Sequence, residues 1–469
     1  MSQASDENAL VESAFEPPLS SSFEGGKSSL FSKLRTRLPV VVFWALAAQG
    51  VISLSRFLTT MTLGGRFSSG HEGVGRGSLE QLGYYAGAFS ALMMISAVHE
   101  AFVTTPLTVF LQSEKTGKRR SLSGSLMLGS LFVGLLVAVA GLVLLMAKPF
   151  IAVENHNIAM VVVVVAVLAP FQFLREFSRR WLLASHQVLT SAIFEFLYVS
   201  LYLLMLAGLV CFAQISAIAT FVIVGIANAV VLGFWYAANR KRFRIKRKKV
   251  PAHFARNIGY GKWVAGENVC STLTMYLCNW LLVPEAAGVF FGCFSIMLLA
   301  NPFLLGVCSI LAPRSAREFA NRGFNGLIRI LANYGAFVLS VLLLVTVFLW
   351  FQGEWLTNLL FGERFIEYFA QQHAGSNPIT ALLGLSLPFL GVSFVLTCGL
   401  HAVKRPHYSF FSAVVGLVVL GAGFLLSPAG PTLTTAAWSF IAATFANMSS
   451  RFFFLYQTAR ETQAELADQ

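Results

Sequence analysis

The stretch FVLSVLLLVTVFLWF, residues 337–351, carries no charged side chain from end to end. The stretch VVVVVAVLA, residues 161–169, has the same character. A helix of about 20 apolar residues crosses the hydrocarbon core of a bilayer, because each residue adds roughly 1.5 Å to its length. Such uninterrupted stretches are typical of membrane-spanning helices, and they decide the fold class.

The composition extends this interpretation to the whole chain. Hydrophobic residue types make up 56% of the 469 residues and charged types only 12%, whereas a soluble domain carries about 25% charged residues. We therefore predict an all-α integral membrane protein with about twelve transmembrane helices. The predicted spans lie at roughly 39–63, 82–110, 121–147, 157–174, 188–212, 215–238, 263–283, 286–312, 327–351, 378–400, 407–427 and 432–457.

The 34 basic residues alternate between connections in a regular way. All but five lie in the amino-terminal tail, in or beside every second connection, or at the carboxyl-terminal end. The exceptions are Arg66, Arg76, Lys148 and Arg364 in the other connections, and Arg56 within the first span. Connections rich in lysine and arginine stay in the cytoplasm, so we expect both termini to be cytoplasmic. Topology then explains the positive charge, and no nucleic-acid partner is expected.

A basic connection at 239–262 divides the predicted spans into six and six, and the two sets are similar in sequence. The aligned positions are Trp44 with Trp263, Gln49 with Asn268, and Gly83–Ser90 with Gly288–Ser295. Six spans return a chain to its starting side, so equivalent helices have the same orientation. We predict two six-helix lobes, 39–238 and 263–457, related by a pseudo-two-fold axis along the membrane normal, an architecture found in transporters.

The remaining segments are predicted from their composition. Residues 1–38 are a disordered cytoplasmic tail, 239–262 form a basic cytoplasmic linker, and 458–469 form a second cytoplasmic tail. The glycine-rich connection at 64–83 is longer than its counterpart in the second lobe, and we expect a flexible external loop there. The run Arg240–Lys249 is suited to contact with anionic membrane lipids.

Several short motifs follow one another in a characteristic order. They are Gly261–Asn268, Val283–Phe291, Asn301–Phe303, Leu311–Arg314, Leu359–Phe365 and Leu400–Pro406, with looser matches at Ala101–Phe110 and Phe173–Ala184. In this order they resemble the polysaccharide exporters of the multidrug/oligosaccharidyl-lipid/polysaccharide (MOP) superfamily. That group includes the O-antigen and lipid II flippases.

The resemblance implies a transporter of the bacterial cytoplasmic (inner) membrane. It would flip a polyprenyl-diphosphate-linked oligosaccharide by alternating access, alongside polysaccharide assembly enzymes. Two other functions stay open: a cation-coupled drug or metabolite antiporter of the same fold, and a membrane-bound polymerase or ligase. We expect no catalytic residues, no metal site and no cofactor beyond a coupling H⁺ or Na⁺ gradient.

Arg56 is the leading candidate for substrate binding. An ionisable residue inside a span is costly and usually faces a cavity or a partner. A guanidinium can bind a pyrophosphate or an acidic sugar through two hydrogen bonds, and lipid II flippases carry cavity arginines in their first span. The structural alternatives are an ion pair with a carboxylate and snorkelling to the outer interface.

Other polar residues within spans form three candidate sets. Gln49, Asn268 and Asn279 are candidate substrate contacts, or else hydrogen-bond partners between helices. Glu195, Glu100 and His99 are candidates for H⁺ or Na⁺ coupling, and either carboxylate could instead neutralise Arg56. Arg175, Arg179 and Arg180 are candidate contacts for a lipid phosphate at the cytoplasmic side, or else residues that set orientation.

Overall fold

The structure is a computed structural model. It describes residues 44, 47–64, 78–107, 111, 116–147, 156–185, 187–212, 215–245, 250–362, 365, 368, 379–428 and 430–467. The predicted amino-terminal tail, residues 65–77 of the external connection and residues 246–249 of the basic linker lie outside them. Every regular element within the described ranges is a helix, so the predicted all-α class is confirmed.

The amino-terminal half of the chain forms six long helices. They are α1 (47–63), α2 (Leu79–His99), α3 (Thr116–Ala147), α4 (His156–Ala184), α5 (Val188–Phe212) and α6 (Ala217–Asn239). Serine side chains cap two of them: Ser78 accepts a hydrogen bond from the Gln81 amide, and Ser216 accepts one from the Ala219 amide. A π-helical turn, Glu100–Thr104, continues α2.

The carboxyl-terminal half begins at residue 250, and several of its helices have a proline in the first turn. The helices are α7 (Val250–Tyr276), α8 (Cys278–Leu281), α9 (Pro284–Leu298), α10 (Asn301–Phe361), α11 (Ile379–Gly384), α12 (Ser386–Ala402), α13 (Pro406–Leu425) and α14 (Leu433–Ala467). Proline lies in the first turn of α9, α10 and α13, where its missing amide proton has no helical partner to lose.

Helix α10 differs from the prediction, because helical residues fill the connection expected between the eighth and ninth spans. The departure from helical geometry inside it is Gly323, with φ 62° and ψ −152°. Glycine adopts a positive φ without steric cost, so it can redirect the chain between two helical segments.

Eight of the described helices are long and apolar enough to cross a membrane. The count becomes nine if the Pro284–Leu298 helix and residues 301–312, bent by 45° relative to each other, form one span. Large apolar side chains stay exposed on these helices, including Phe132 and Leu136 of α3 and Leu344 of α10. Exposed apolar faces of this kind suit contact with lipid chains, so the chain is a multi-pass integral membrane protein.

Helices α2 and α9, which carry the two aligned sequence stretches, cross each other closely. A Cβ atom added to Gly83 would lie 1.7 Å from the carbonyl oxygen of Pro284, and one added to Gly288 would lie 2.2 Å from that of Leu79. The alignment places Gly83 on Gly288 and Leu79 on Pro284, so the contact is reciprocal. Glycine permits this approach of two backbones, as in other membrane helix pairs.

The opposite end of α2 contacts the first turns of α7. Asn257 Nδ2 donates a hydrogen bond to the carbonyl oxygen of Phe102 at 3.2 Å. A Cβ atom on Gly261 would lie 2.6 Å from the carbonyl oxygen of Ala101. Both carbonyls belong to the π-helical turn, where the changed hydrogen-bond pattern suits such partners. Helix α2 therefore contacts the carboxyl-terminal half at both of its ends.

Candidate functional site

Two cavities meet at the middle of α2. The first contains about 470 Å³ of empty space, open solvent included, and lies among α1, α2, α4, α5 and α6. The second contains about 500 Å³ of empty space, open solvent included, and lies between the two halves of the chain, among α1, α2, α7, α9 and the start of α10. Arg56, Tyr85 and Phe89 line both cavities. These three side chains therefore form the boundary between a cavity within one half and a cavity between the halves.

Arg56 is held on α1 by a turn of the helix that contains several hydroxyl side chains. Ser55, Thr59 and Thr60 each donate a hydrogen bond back to a carbonyl oxygen of the same helix. This pattern gives each hydroxyl group a partner within its own helix. It leaves Arg56 as the charged side chain that α1 presents to the cavities.

The Arg56 guanidinium contacts an aromatic ring rather than a carboxylate. Its Cζ atom lies 5.4 Å from the centroid of the Phe89 ring, a favourable cation–π distance. The ion pairs made by the described residues go to other basic side chains and do not include Arg56. Its side chain is exposed, so the guanidinium is accessible to a ligand.

Hydroxyl and amide groups surround the first cavity. Tyr202 and Thr59 share a hydrogen bond between their hydroxyl oxygens at 2.5 Å. Asn228 Nδ2 donates to Gln172 Oε1 at 3.0 Å, which orients the Gln172 amide. The phenol ring of Tyr85 stacks on Phe221 with ring centroids 5.0 Å apart. The first cavity combines two cations, Arg56 and Arg175, with neutral hydrogen-bonding groups and flat ring surfaces.

Six charged residues of the π-helical turn, α4 and α5 form one network, which we call the α4 charge network. Its members are Glu100, Arg175, Glu176, Arg179, Arg180 and Glu195. Arg175 Nη1 lies 2.5 Å from Glu195 Oε2, and both side chains are almost fully buried. Glu100 pairs with Arg180. Glu195 and Glu100 thus contact these arginines, and neither neutralises Arg56.

The three arginines of this network differ in their surroundings. Arg175 lines the first cavity, although the sequence placed it with the cytoplasmic connection. Arg179 and Arg180 bind Glu176 on the same helix, with Arg180 Nε 3.0 Å from the carboxylate. Their assignment as lipid-phosphate contacts stays a prediction.

His99 is buried beside the π-helical turn. Its Nε2 atom lies 3.0 Å from Ser130 Oγ, and its ring stacks on Phe173 with centroids 4.7 Å apart. The residues lining the two cavities do not include His99. A role of His99 in ion coupling stays a prediction, and its side chain does not line either cavity.

The three amides predicted as substrate contacts do not line the two cavities. Asn279 Nδ2 donates to Ser90 Oγ at 2.9 Å and so links α8 to α2. Gln49 and Asn268 are half-buried on α1 and α7, and neither lines the two cavities. Among the described asparagines it is Asn301, at the start of α10, that lines the second cavity.

A second buried charge pair lies in the carboxyl-terminal half, and the sequence analysis did not predict it. Arg451 of α14 lies 3.1 Å from Glu267 of α7. Glu267 also accepts a hydrogen bond from Ser409 at 2.5 Å and lies 3.2 Å from His401, while Arg451 donates to the Ser393 carbonyl. The sequence shows two opposite charges within predicted spans. It does not show that these two residues, 184 positions apart, pair with each other.

Comparisons with known proteins agree on one fold. No protein-family model matches the chain, and no curated protein matches it. An inward-facing multidrug resistance MATE family transporter of the MOP superfamily is 10% identical, with a TM-score of 0.70 over 88% of this chain and 95% of that one. A MOP superfamily transporter from Pyrococcus furiosus, described as having a binding pocket of reverse polarity that suggests a different function, is 11% identical.

The Pyrococcus furiosus protein has a TM-score of 0.64, covering 89% of this chain and 94% of that one. A mutant of a Vibrio cholerae MATE transporter is 15% identical, with a TM-score of 0.63 over 92% of this chain and 98% of that one. These neighbours share the arrangement of helices of this chain. At such identities the likeness concerns architecture, and the chain has the fold of the MATE transporters of the MOP superfamily.

Proposed function

We propose that the protein is a transporter that flips an anionic, lipid-linked substrate across the bacterial cytoplasmic membrane by alternating access. The favoured substrate is a polyprenyl-diphosphate-linked oligosaccharide destined for surface polysaccharide. The observation that carries this proposal is Arg56, a cation without a carboxylate partner among the described residues, at the boundary of the two cavities.

The proposed architecture follows the sequence expectation. Twelve spans form two six-helix lobes with both termini in the cytoplasm, and the second cavity lies between the lobes. The fold of the MATE transporters and the reciprocal contact between Gly83 and Gly288 support this arrangement. In such repeats, rocking of one lobe against the other exposes a central site to either side of the membrane.

The chemistry of the cavities favours an anion. A guanidinium binds phosphate through paired hydrogen bonds and is less strongly hydrated than an ammonium. The phenols of Tyr85 and Tyr202 add donors and ring faces on which a sugar could pack. The lipid chain of the substrate would stay in the bilayer while its diphosphate and sugar cross through the cavities.

A cation-coupled drug or metabolite antiporter is the second candidate. It is favoured by neighbours described as multidrug resistance transporters. Arg56 would repel an organic cation, and the described lining residues of both cavities include no carboxylate to offset its charge. Glu195 and Glu100 are already paired with arginines.

A polymerase or ligase is a weaker candidate, because acid–base catalysis most often uses His, Asp or Glu, and the described lining residues of both cavities include none of these. We therefore propose that the chain is not an enzyme. Coupling to H⁺ or Na⁺ and association with polysaccharide assembly enzymes are further parts of the proposal.

The test is transfer in liposomes that contain a fluorescent polyprenyl-diphosphate oligosaccharide, followed by its accessibility to a quencher added outside. Wild-type protein is expected to transfer the lipid, whereas Arg56→Ala is expected to reach the membrane and transfer none. Arg317→Ala, which removes an exposed arginine outside both cavities, is the matched control. Transfer by Arg56→Ala at the wild-type rate would contradict the proposal, and uptake of organic cations without lipid transfer would favour the antiporter.

A further inference from the structure

We infer that Arg175 forms a second anion subsite in the first cavity, and that Glu195 occupies this subsite when no substrate is bound. The inference rests on the proposed function and names a further part of its site. The substrate would then present two acidic groups, such as the two phosphoryl groups of a diphosphate, to Arg56 and Arg175.

The position of Arg175 supports a role in binding. Arg175 and Arg56 line the same cavity, although they lie on different helices. The Arg175 guanidinium also lies 4.1 Å from the centroid of the Tyr198 ring. The ring contacts one face of the guanidinium through a cation–π interaction. The N–H groups at the edge of the guanidinium stay available for hydrogen bonds.

The ion pair between Arg175 and Glu195 leaves hydrogen-bonding capacity unused. Among the described atoms, Arg175 Nε and Glu195 Oε1 are buried and have no hydrogen-bond partner. Buried polar groups normally have partners, and each exception calls for an explanation. A guanidinium has five N–H donors, so a phosphoryl oxygen in the cavity could use the donor that Glu195 does not.

Arg179 provides a second partner for Glu195. Its Nε atom lies 3.8 Å from Glu195 Oε1, so the carboxylate could stay paired if Arg175 turned toward a substrate. The α4 charge network contains three arginines and three glutamates and is balanced overall. Moving Glu195 from Arg175 to Arg179 therefore changes the charge of the cavity wall without leaving a buried charge unpaired.

The inference is tested by measuring dissociation constants for two probes with the full-length protein in nanodiscs. The probes are inorganic pyrophosphate and a polyprenyl diphosphate, so a soluble and a lipid-linked source of the same chemistry are distinguished. Glu195→Gln is expected to tighten binding about tenfold, because the internal competitor loses its charge. The double variant Arg175→Gln/Glu195→Gln is expected to bind about tenfold more weakly than wild type.

The double variant is expected to fold, because it replaces both members of a buried ion pair with neutral amides and leaves no buried charge unpaired. Its matched control is Glu267→Gln/Arg451→Gln, which neutralises the other buried pair away from the cavities and is expected to leave both dissociation constants unchanged. Wild-type affinity in both Glu195→Gln and the Arg175 double variant would overturn the inference.

The outcomes separate this inference from the proposed function. Loss of binding in Arg56→Gln, with no effect of the Arg175 and Glu195 variants, would leave the proposed function standing and remove the second subsite. Failure of wild-type protein to bind either probe would overturn both. A response to pyrophosphate and not to the lipid would keep the subsite and contradict the lipid-linked substrate.

Discussion

Arg56, Arg175 and Arg451 lie within predicted spans or at their ends, and they differ in whether a carboxylate is paired with them. Arg175 is paired with Glu195 and Arg451 with Glu267, and these pairs are buried. Arg56 contacts the Phe89 ring and no described carboxylate. An unpaired cation in a membrane interior is costly, so its presence at a cavity is the strongest single indication of an anionic ligand.

Replacing Arg56 by lysine tests whether charge alone is sufficient. Lysine keeps the positive charge but lacks the planar fork that binds two phosphate oxygens together. We expect Arg56→Lys to transfer the lipid-linked oligosaccharide about tenfold more slowly than wild type but faster than Arg56→Ala. Rates in the liposome quenching assay provide the measurement, and equal rates for the lysine and alanine variants would contradict a role for the charge.

The second buried pair is expected to contribute to stability rather than transport. Glu267→Ala leaves the Arg451 charge buried without its carboxylate, and breaking such a pair costs about 3–5 kcal/mol. Thermal unfolding in detergent should therefore begin at a clearly lower temperature than for wild type. Glu267→Gln/Arg451→Gln should recover most of the loss, and an unchanged unfolding temperature in Glu267→Ala would show that the pair does not stabilise the fold.

At the scale of residues, the sequence predicted which charged residues lie within spans better than it predicted which residues they contact. Arg56 was identified because a charge inside an apolar span is conspicuous. Arg175 was assigned to the cytoplasmic rim because it lies next to Arg179 and Arg180 in the chain, whereas the helix turns it toward the first cavity. The pair of Glu267 with Arg451 was missed, since contacts between distant helices are not encoded by spacing along the chain.

At the scale of elements, helix α2 is held at both ends by close backbone contacts. Gly83 meets α9 at one end, and the π-helical turn meets Gly261 of α7 at the other. Because α2 starts on the outer side in the proposed topology, these contacts would close the outer and the cytoplasmic side of the second cavity. Alternating access would then require each contact to open in turn.

Widening the outer contact is expected to expose the cavity to the outside. Gly83→Val places a side chain where even a Cβ atom would lie 1.7 Å from Pro284, so α2 and α9 must separate. A cysteine introduced at Ser53, in the wall of the second cavity, should react faster with an impermeant thiol reagent added from outside. For this experiment the six native cysteines are first replaced by serine or alanine, so that the cysteine at position 53 is the single reactive thiol.

Gly261→Val is expected to have the opposite effect, with faster labelling from the cytoplasmic side, because it separates α7 from the π-helical turn. Gly233→Ala is the control, since a Cβ atom there meets nothing within 4 Å. Equal changes in labelling from both sides for the two valine variants would show that these contacts do not act as separate gates.

Helices were predictable from apolar stretches, and helical residues make up most of the described part of every predicted span. The boundaries were less predictable. Residues 313–326 were expected to form a connection because they are polar and basic, yet α10 runs through them with a break at Gly323. Polarity marks where a helix leaves the membrane, whereas backbone conformation decides where it ends.

At the scale of the whole molecule, the distribution of basic residues predicts the orientation. Both termini should lie in the cytoplasm. A green fluorescent protein fused to the carboxyl terminus should therefore fluoresce, and an alkaline phosphatase fused there should be inactive. Active phosphatase at this end would overturn the proposed topology and with it the assignment of the outer and cytoplasmic contacts.

The type of fold was predictable at this scale. Motif order and internal repetition predicted a transporter-like helical architecture, and solved MATE transporters share the fold with TM-scores of 0.60 to 0.70. Substrate class does not follow from the fold, because one fold hosts different functions. Substrate class has to be argued from the first cavity, whose described lining residues include Arg56 and Arg175 and no carboxylate.

The most direct test of the central claim is an electron cryo-microscopy structure of the protein with a polyprenyl-diphosphate oligosaccharide bound. The account predicts diphosphate density within hydrogen-bond distance of the Arg56 guanidinium, at the boundary of the two cavities beside Phe89. Density for the diphosphate at the basic cytoplasmic surface alone, with the cavities around Arg56 empty, would contradict it.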